Sequence, residues 1–133
     1  MNPYCDLSPS LRIPRMLIGL WQIADIERKK GTLDPTEAAT YMQPYVENGL
    51  YAFDMADHYG SSEIITGTFK NNYTGSEQVK LFTKWVPEPG KTNRDIVRAA
   101  VEKALERMKQ SSIDLMQFHA WHYPDPSYLD ALY

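Results

Sequence analysis

The chain is poor in several features that announce specialised chemistry. It has a single cysteine, Cys5, so an intramolecular disulfide is impossible and a cysteine-based metal cluster is not expected. A reducing, cytoplasmic setting is the simplest expectation. No run of about 18 apolar residues occurs, and Met1 to Arg15 has no basic-then-apolar leader, so neither a membrane span nor a signal peptide is expected. Lys and Arg number 14 against 17 Asp and Glu, a formal charge of −3, which gives no broad basic face for nucleic acid. Seven glycines are present, none arranged as Gly-x-Gly-x-x-Gly, and this removes the best sign of a Rossmann dinucleotide turn. Neither a Gly-x-Ser-x-Gly elbow nor a His-rich set is visible, which argues against a barrel hydrolase and against a bound metal.

What is present is a globular composition, 43% hydrophobic and 23% charged over 133 residues, enough for one ordinary domain with a core. Residues 1–15 read as an irregular leader. Met16 to Trp21 is a continuous apolar run, the form of a strand buried on both faces. Asp34-Pro35-Thr36-Glu37 supplies a cap, a proline at the first helical position and an acid three residues after the cap. That helix is expected to reach about Asn48, with a kink or early end at Pro44 and a stop at Gly49. Leu50–Asp54 reads as the second strand, Ser61 to about Lys70 as a helix weakened by Gly67, and Val79–Thr83 as the third strand. Thr92-Asn93-Arg94-Asp95 reads as a capping box, and Ile96, Val97, Ala100, Val101, Ala104, Leu105 and Met108 form one helical stripe. Ile113–Phe118 is the fourth strand.

Strands alternating with helices, joined by connections too long for hairpins, imply a parallel sheet with right-handed crossovers. An open doubly wound sheet and a (β/α)8 barrel share that order. The strand ends favour the barrel. Asp54 closes the second strand and Tyr59 follows five residues later; Lys84 and Trp85 come directly after the third strand; His119 comes directly after the fourth. Singly, each has an ordinary structural reading: a turn cap, a packed phenol, a solvated amine, a hydrogen-bonded rim histidine. Together they fall at the end of successive strands where such folds bind ligands.

Three segments carry a specific resemblance: Phe53-Asp54-Met55-Ala56-Asp57-His58-Tyr59-Gly60-Ser61-Ser62-Glu63, Thr83-Lys84-Trp85, and Ile113-Asp114-Leu115-Met116-Gln117-Phe118-His119. They resemble the first half of an aldo-keto reductase. The similarity runs from about Arg15 onward. It implies the N-terminal half of a (β/α)8 TIM barrel, about four parallel strands with intervening helices, spanning 16–133 and truncated after the fourth strand. It also implies NADP(H)-dependent reduction of an aldehyde or ketone to an alcohol. By this resemblance Tyr59 is the general acid, Lys84 the ammonium that makes the phenol a better proton donor, Asp54 the residue that holds Lys84, and His119 the residue that orients the carbonyl. Asp54, Gly19 and Trp21 fall at cofactor-binding positions. Trp21, Trp85 and Trp121 would wall the substrate pocket, with packing of loops over the barrel mouth an equal reading.

A whole barrel takes roughly 250 residues and eight strands. In the family the second half supplies most cofactor contacts, so the expectation is a chain that needs its missing half, a complementing half-barrel or a second copy for activity. The partner expected is a small carbonyl compound, not nucleic acid or a membrane. The alternative is a catalytically silent, reductase-like interaction or regulatory protein.

Overall fold

The computed structural model describes residues 2–120 and 126–133. Its first element is a hairpin, not an irregular leader. Strands β1 (Tyr4–Ser8) and β2 (Leu11–Pro14) pair antiparallel, Cys5 opposite Ile13 and Asp6 opposite Arg12, with the register shifting between Asp6 and Ser8. The connection is Pro9-Ser10, which lacks the Asn-Gly or Asp-Gly pair that marks two-residue hairpins, so the sequence carries little warning of it. Alternation does the folding: Leu11 and Ile13 turn inward with Cys5 against Ala52, Phe82 and Leu115. Ala52 and Leu115 open their strands, so the hairpin packs at the N-terminal end of the sheet.

The first strand of that sheet, β3, is only Ile18–Gly19. Helix α1 (Trp21–Lys30) begins where the apolar run was expected to continue as strand. Its N-cap is Leu20, which offers no side-chain cap, so no start signal exists in sequence. The end is legible: Arg28, Lys29 and Lys30 complement the helix dipole before Gly31 at φ 88°. Helix α2 (Pro35–Thr40) starts as expected, the Asp34 carboxylate accepting from the Thr36 and Glu37 amides at 2.7 and 3.2 Å. The chain then breaks at Tyr41-Met42 and restarts as α3 (Gln43–Glu47), because Pro44 has no N–H to continue the ladder and is tolerated only in a first turn.

Strand β4 (Ala52–Asp54), helix α4 (Ser62–Asn72), strand β5 (Lys80–Trp85), helix α5 (Arg94–Met108), strand β6 (Leu115–Phe118) and helix α6 (Ser127–Leu132) complete the described elements. The cap of α5 is Asn93, accepting from the Ile96 amide at 3.0 Å. Sheet order is β3-β4-β5-β6, all parallel. Val46, Phe53, Met55, Ile65, Leu81 and Met108 are fully buried in the main core cluster that joins the sheet to the helices. Gly67 has a packing reason: a Cβ there would clash with the Met108 carbonyl, so glycine lets α4 approach the end of α5. No helix among the described residues is long and apolar enough to cross a membrane.

The N-terminal end of the sheet is pinned by Asp114. Its carboxylate accepts from the Leu81 amide at 2.9 Å and from Lys80 and Lys70 at 3.1 and 3.3 Å. Burial opposes its ionisation, but the Leu81 amide and the two ammonium groups outweigh that and hold its carboxyl below the ordinary range. A depressed carboxyl contributes stability above its unfolded value of about 3.9 and loses it as pH falls through the folded value. Asp114→Asn is therefore expected to lower stability at pH 7 by about 1–2 kcal/mol, with the difference shrinking below about pH 4. Urea unfolding at both pH values measures it, and a penalty that does not depend on pH would contradict the assignment.

Candidate active site

In parallel pairing Gly19 faces Asp54, Asp54 faces Phe82, and Lys84 faces Gln117. Lys84 lies two residues beyond Phe82, so strand alternation puts Asp54 and Lys84 on the same face at the C-terminal end of the sheet. Lys84 Nζ donates to Asp54 Oδ2 at 2.6 Å and to the Met55 carbonyl at 2.9 Å. The two side chains are 13% and 24% exposed, dry enough to strengthen the pair and open enough to meet a ligand.

Tyr59 comes to this pair through a laced loop. The Met55 amide donates to the Phe82 carbonyl at 2.8 Å, the Asp57 amide to the Lys84 carbonyl at 2.9 Å, and the Asp57 carboxylate accepts from the Val86 amide at 3.0 Å. The loop thereby extends the β4–β5 pairing beyond the strands. Lys84 Nζ stands 5.1 Å from the Tyr59 ring centroid. Trp21, the first residue of α1, meets the Tyr59 ring nearly perpendicular at 5.0 Å, and His58 meets it at 4.8 Å.

The far side of the loop is clamped twice. Glu27 of α1 accepts from the Ser61 amide at 2.9 Å and from the Ser61 hydroxyl. Gly60 sits at φ 54°, and a Cβ there would meet the Glu27 carboxylate. Glu63, its side chain 1% exposed, accepts from Thr83 Oγ1 at 2.6 Å and from Arg107 Nε at 2.7 Å. Arg107 Nη2 donates in turn to the Gly60 carbonyl at 2.6 Å. In the sequence Glu63 and Thr83 stand out only as members of two of the segments that carry the resemblance, with no partner for either. Glu27 and Arg107 carry no local signal, since their partners lie 34 to 47 residues away.

Asp54, Lys84, Tyr59 and Trp21 thus form one cluster. His119 stands at the same end, immediately after β6, its amide donating to the Trp85 carbonyl at 2.9 Å. Trp85 packs elsewhere, edge-on to Phe118 at 5.6 Å, while Phe118 stacks on Tyr128 at 4.8 Å. Trp21 and Trp85 therefore pack against different aromatic partners. Trp121 lies outside the described residues. A Cβ added at Gly19 would meet nothing within 4 Å, so the strand end beside Asp54 is open. Among the described residues no cluster of three His, Cys, Asp or Glu gathers to hold a metal.

A family model described as Aldo/keto reductase family matches residues 15–132. Among solved structures, the thermostable aldo-keto reductase Tm1743 bound to the inhibitor epalrestat is 24% identical at a TM-score of 0.71, covering 97% of this chain and 47% of its own. The aldo-keto reductase AKR11C1 from Bacillus halodurans, in holo form, is 22% identical at 0.70, covering 96% and 43%. The Bombyx mori aldo-keto reductase AKR2E4 in complex with NADP is 22% identical at 0.62, covering 93% and 40%. No curated protein sequence matches. The fold is the N-terminal half of a (β/α)8 barrel, and the chain spans about half the length of the structures it matches.

The clamp on the Tyr59 loop is open to test. Removing Glu63 strands a partly buried guanidinium and a buried hydroxyl, so Glu63→Ala is expected to cost about 3 kcal/mol or more. Urea unfolding checks it; a loss below about 0.5 kcal/mol, the level of an ordinary surface change, would contradict the buried pairing.

Proposed function

The chain belongs to the aldo/keto reductase family, and we propose that it supplies the proton-transfer half of an NADP(H)-dependent reduction of an aldehyde or ketone to an alcohol. The observation that carries this reading is the 2.6 Å pair of Asp54 and Lys84 beneath the Tyr59 ring. Asp54 and the Met55 carbonyl hold the Lys84 ammonium in one place. That fixed positive charge favours negative charge on the phenol oxygen as its proton leaves, so Tyr59 acts as general acid toward the carbonyl oxygen. His119, at the end of the neighbouring strand, orients the carbonyl.

The open strand end at Gly19 and the half-exposed Trp21 fit a flat ring lying beside Asp54. NADP(H), when bound, supplies the reducing equivalent; Asp54, Gly19 and Trp21 are the residues of this chain that would line it. Trp21 and Trp85 would form two walls for the substrate. Strands β3 and β6 are the outer members of the sheet, and four more strands pairing with them, from a complementing half-barrel or a second copy, would complete the barrel.

In the native protein that carries this chain, Tyr59→Phe is expected to lower kcat for NADPH-dependent aldehyde reduction by about 10²–10⁴-fold while NADPH affinity, read by fluorescence, changes little. Full activity in Tyr59→Phe would contradict the general-acid role. Turnover by a demonstrated monomer of these 133 residues would contradict the need for a second half.

A further inference from the structure

His58 packs on Tyr59 and has no task in the mechanism above. Its ring meets the phenol ring edge-on at 4.8 Å and the Trp21 ring at 6.1 Å. Its Nδ1 is 2.8 Å from Asp57 Oδ1. The other Asp57 oxygen is held by the Val86 amide, and the Asp57 amide is bonded to the Lys84 carbonyl. The carboxylate is thus fixed to β5 and the connection after it, and it fixes the imidazole with Nδ1 toward itself and Nε2 directed away. The His58 side chain is 46% exposed, so water reaches the ring.

The proposed reduction removes the Tyr59 proton once per turnover, and something must return it. Lys84 is poorly suited, because its ammonium is 13% exposed and bonded to Asp54 and Met55. The geometry points to His58 as the relay that carries this proton from solvent back to Tyr59, with Asp57 as its positioning residue. This rests on Tyr59 being the proton donor. In the step, the Nε2–H bond of the imidazolium breaks and the Tyr59 O–H bond forms through one bridging water. The neutral imidazole then takes a proton from bulk water, and no oxidant or reductant is involved. Asp57 keeps Nδ1 bonded throughout, so the ring does not turn between the two transfers. Glu88, Lys91 and Lys103 line the same roughly 670 Å³ groove as His58, and Arg28 lies over Trp21 at 5.2 Å, so these charges also act on the ring.

Stopped-flow mixing of the native protein with NADPH and 4-nitrobenzaldehyde separates the steps. In His58→Gln the first turnover, which uses the proton already on Tyr59, is expected to keep its rate within about twofold. Steady-state turnover is expected to fall by about tenfold or more and to recover with millimolar imidazole, with Asp57→Asn shifted the same way but less. A slowed first turnover, an unchanged steady state or no response to imidazole would overturn the relay while leaving Tyr59 as donor. A normal first turnover in Tyr59→Phe would overturn the donor assignment and the relay with it. Without turnover, long-range ¹H–¹⁵N imidazole spectra are expected to show the Nδ1–H tautomer at His58 and its loss in Asp57→Asn. The Nε2–H tautomer in the unmodified protein would contradict the positioning.

Discussion

A carboxylate taken out of water must be met by donors, and Glu63 imposes that demand where α4, β5 and α5 converge. Thr83 answers it from the strand and Arg107 from the helix, so three elements are held to one point by directional bonds rather than by apolar contact alone. Because Arg107 also holds the Gly60 carbonyl, the same demand reaches the loop that presents Tyr59. Apolar packing would let α5 slide or rotate by small steps; a shared buried carboxylate does not. The close approach of Gly67 to Met108 sets the helix spacing one turn further along α4, at the residue that follows Arg107.

The two ends of the sheet divide the labour. At the N-terminal end, the β1–β2 hairpin packs Ile13 against Ala52 and Phe82 while Asp114 holds the Leu81 amide of β5, a region built for stability. At the C-terminal end, the chain spends its polar residues on order: Glu27 and Arg107 clamp the loop from two helices, β5 holds it through two backbone bonds, and the Val86 amide just after β5 holds the Asp57 carboxylate. Asp54 and Lys84 stand beside this loop, bonded to each other and to the Met55 carbonyl. A phenol presented by such a loop loses little on adopting a productive geometry, which is the general condition for general-acid work.

Much of this was legible in sequence because it is local. The Asp34 cap, the disruption at Pro44, the α5 stripe and the strand-end positions of Asp54, Lys84 and His119 all follow from spacing within a few residues. The misses have physical reasons too. Trp21 continues an apolar run that looks like strand, yet the chain turns into α1 there with no capping side chain to signal it. The hairpin was hidden by a proline-serine connection and by strands of only four or five residues. In the site, Asp54 was tied to Lys84 by the resemblance alone, and Arg107 could not be tied to Glu63 at all, since nothing in a helical stripe says which basic residue faces a buried acid 44 residues away.

The central claim is that the loop carrying Tyr59 is fixed in advance of any ligand. Amide hydrogen exchange tests it most directly, at Met55, Asp57 and Val86, whose N–H groups are bonded to the Phe82 carbonyl, the Lys84 carbonyl and the Asp57 carboxylate. The account predicts protection there close to that of the β4–β5 ladder itself. Exchange at these three amides as fast as in an unstructured chain would contradict it.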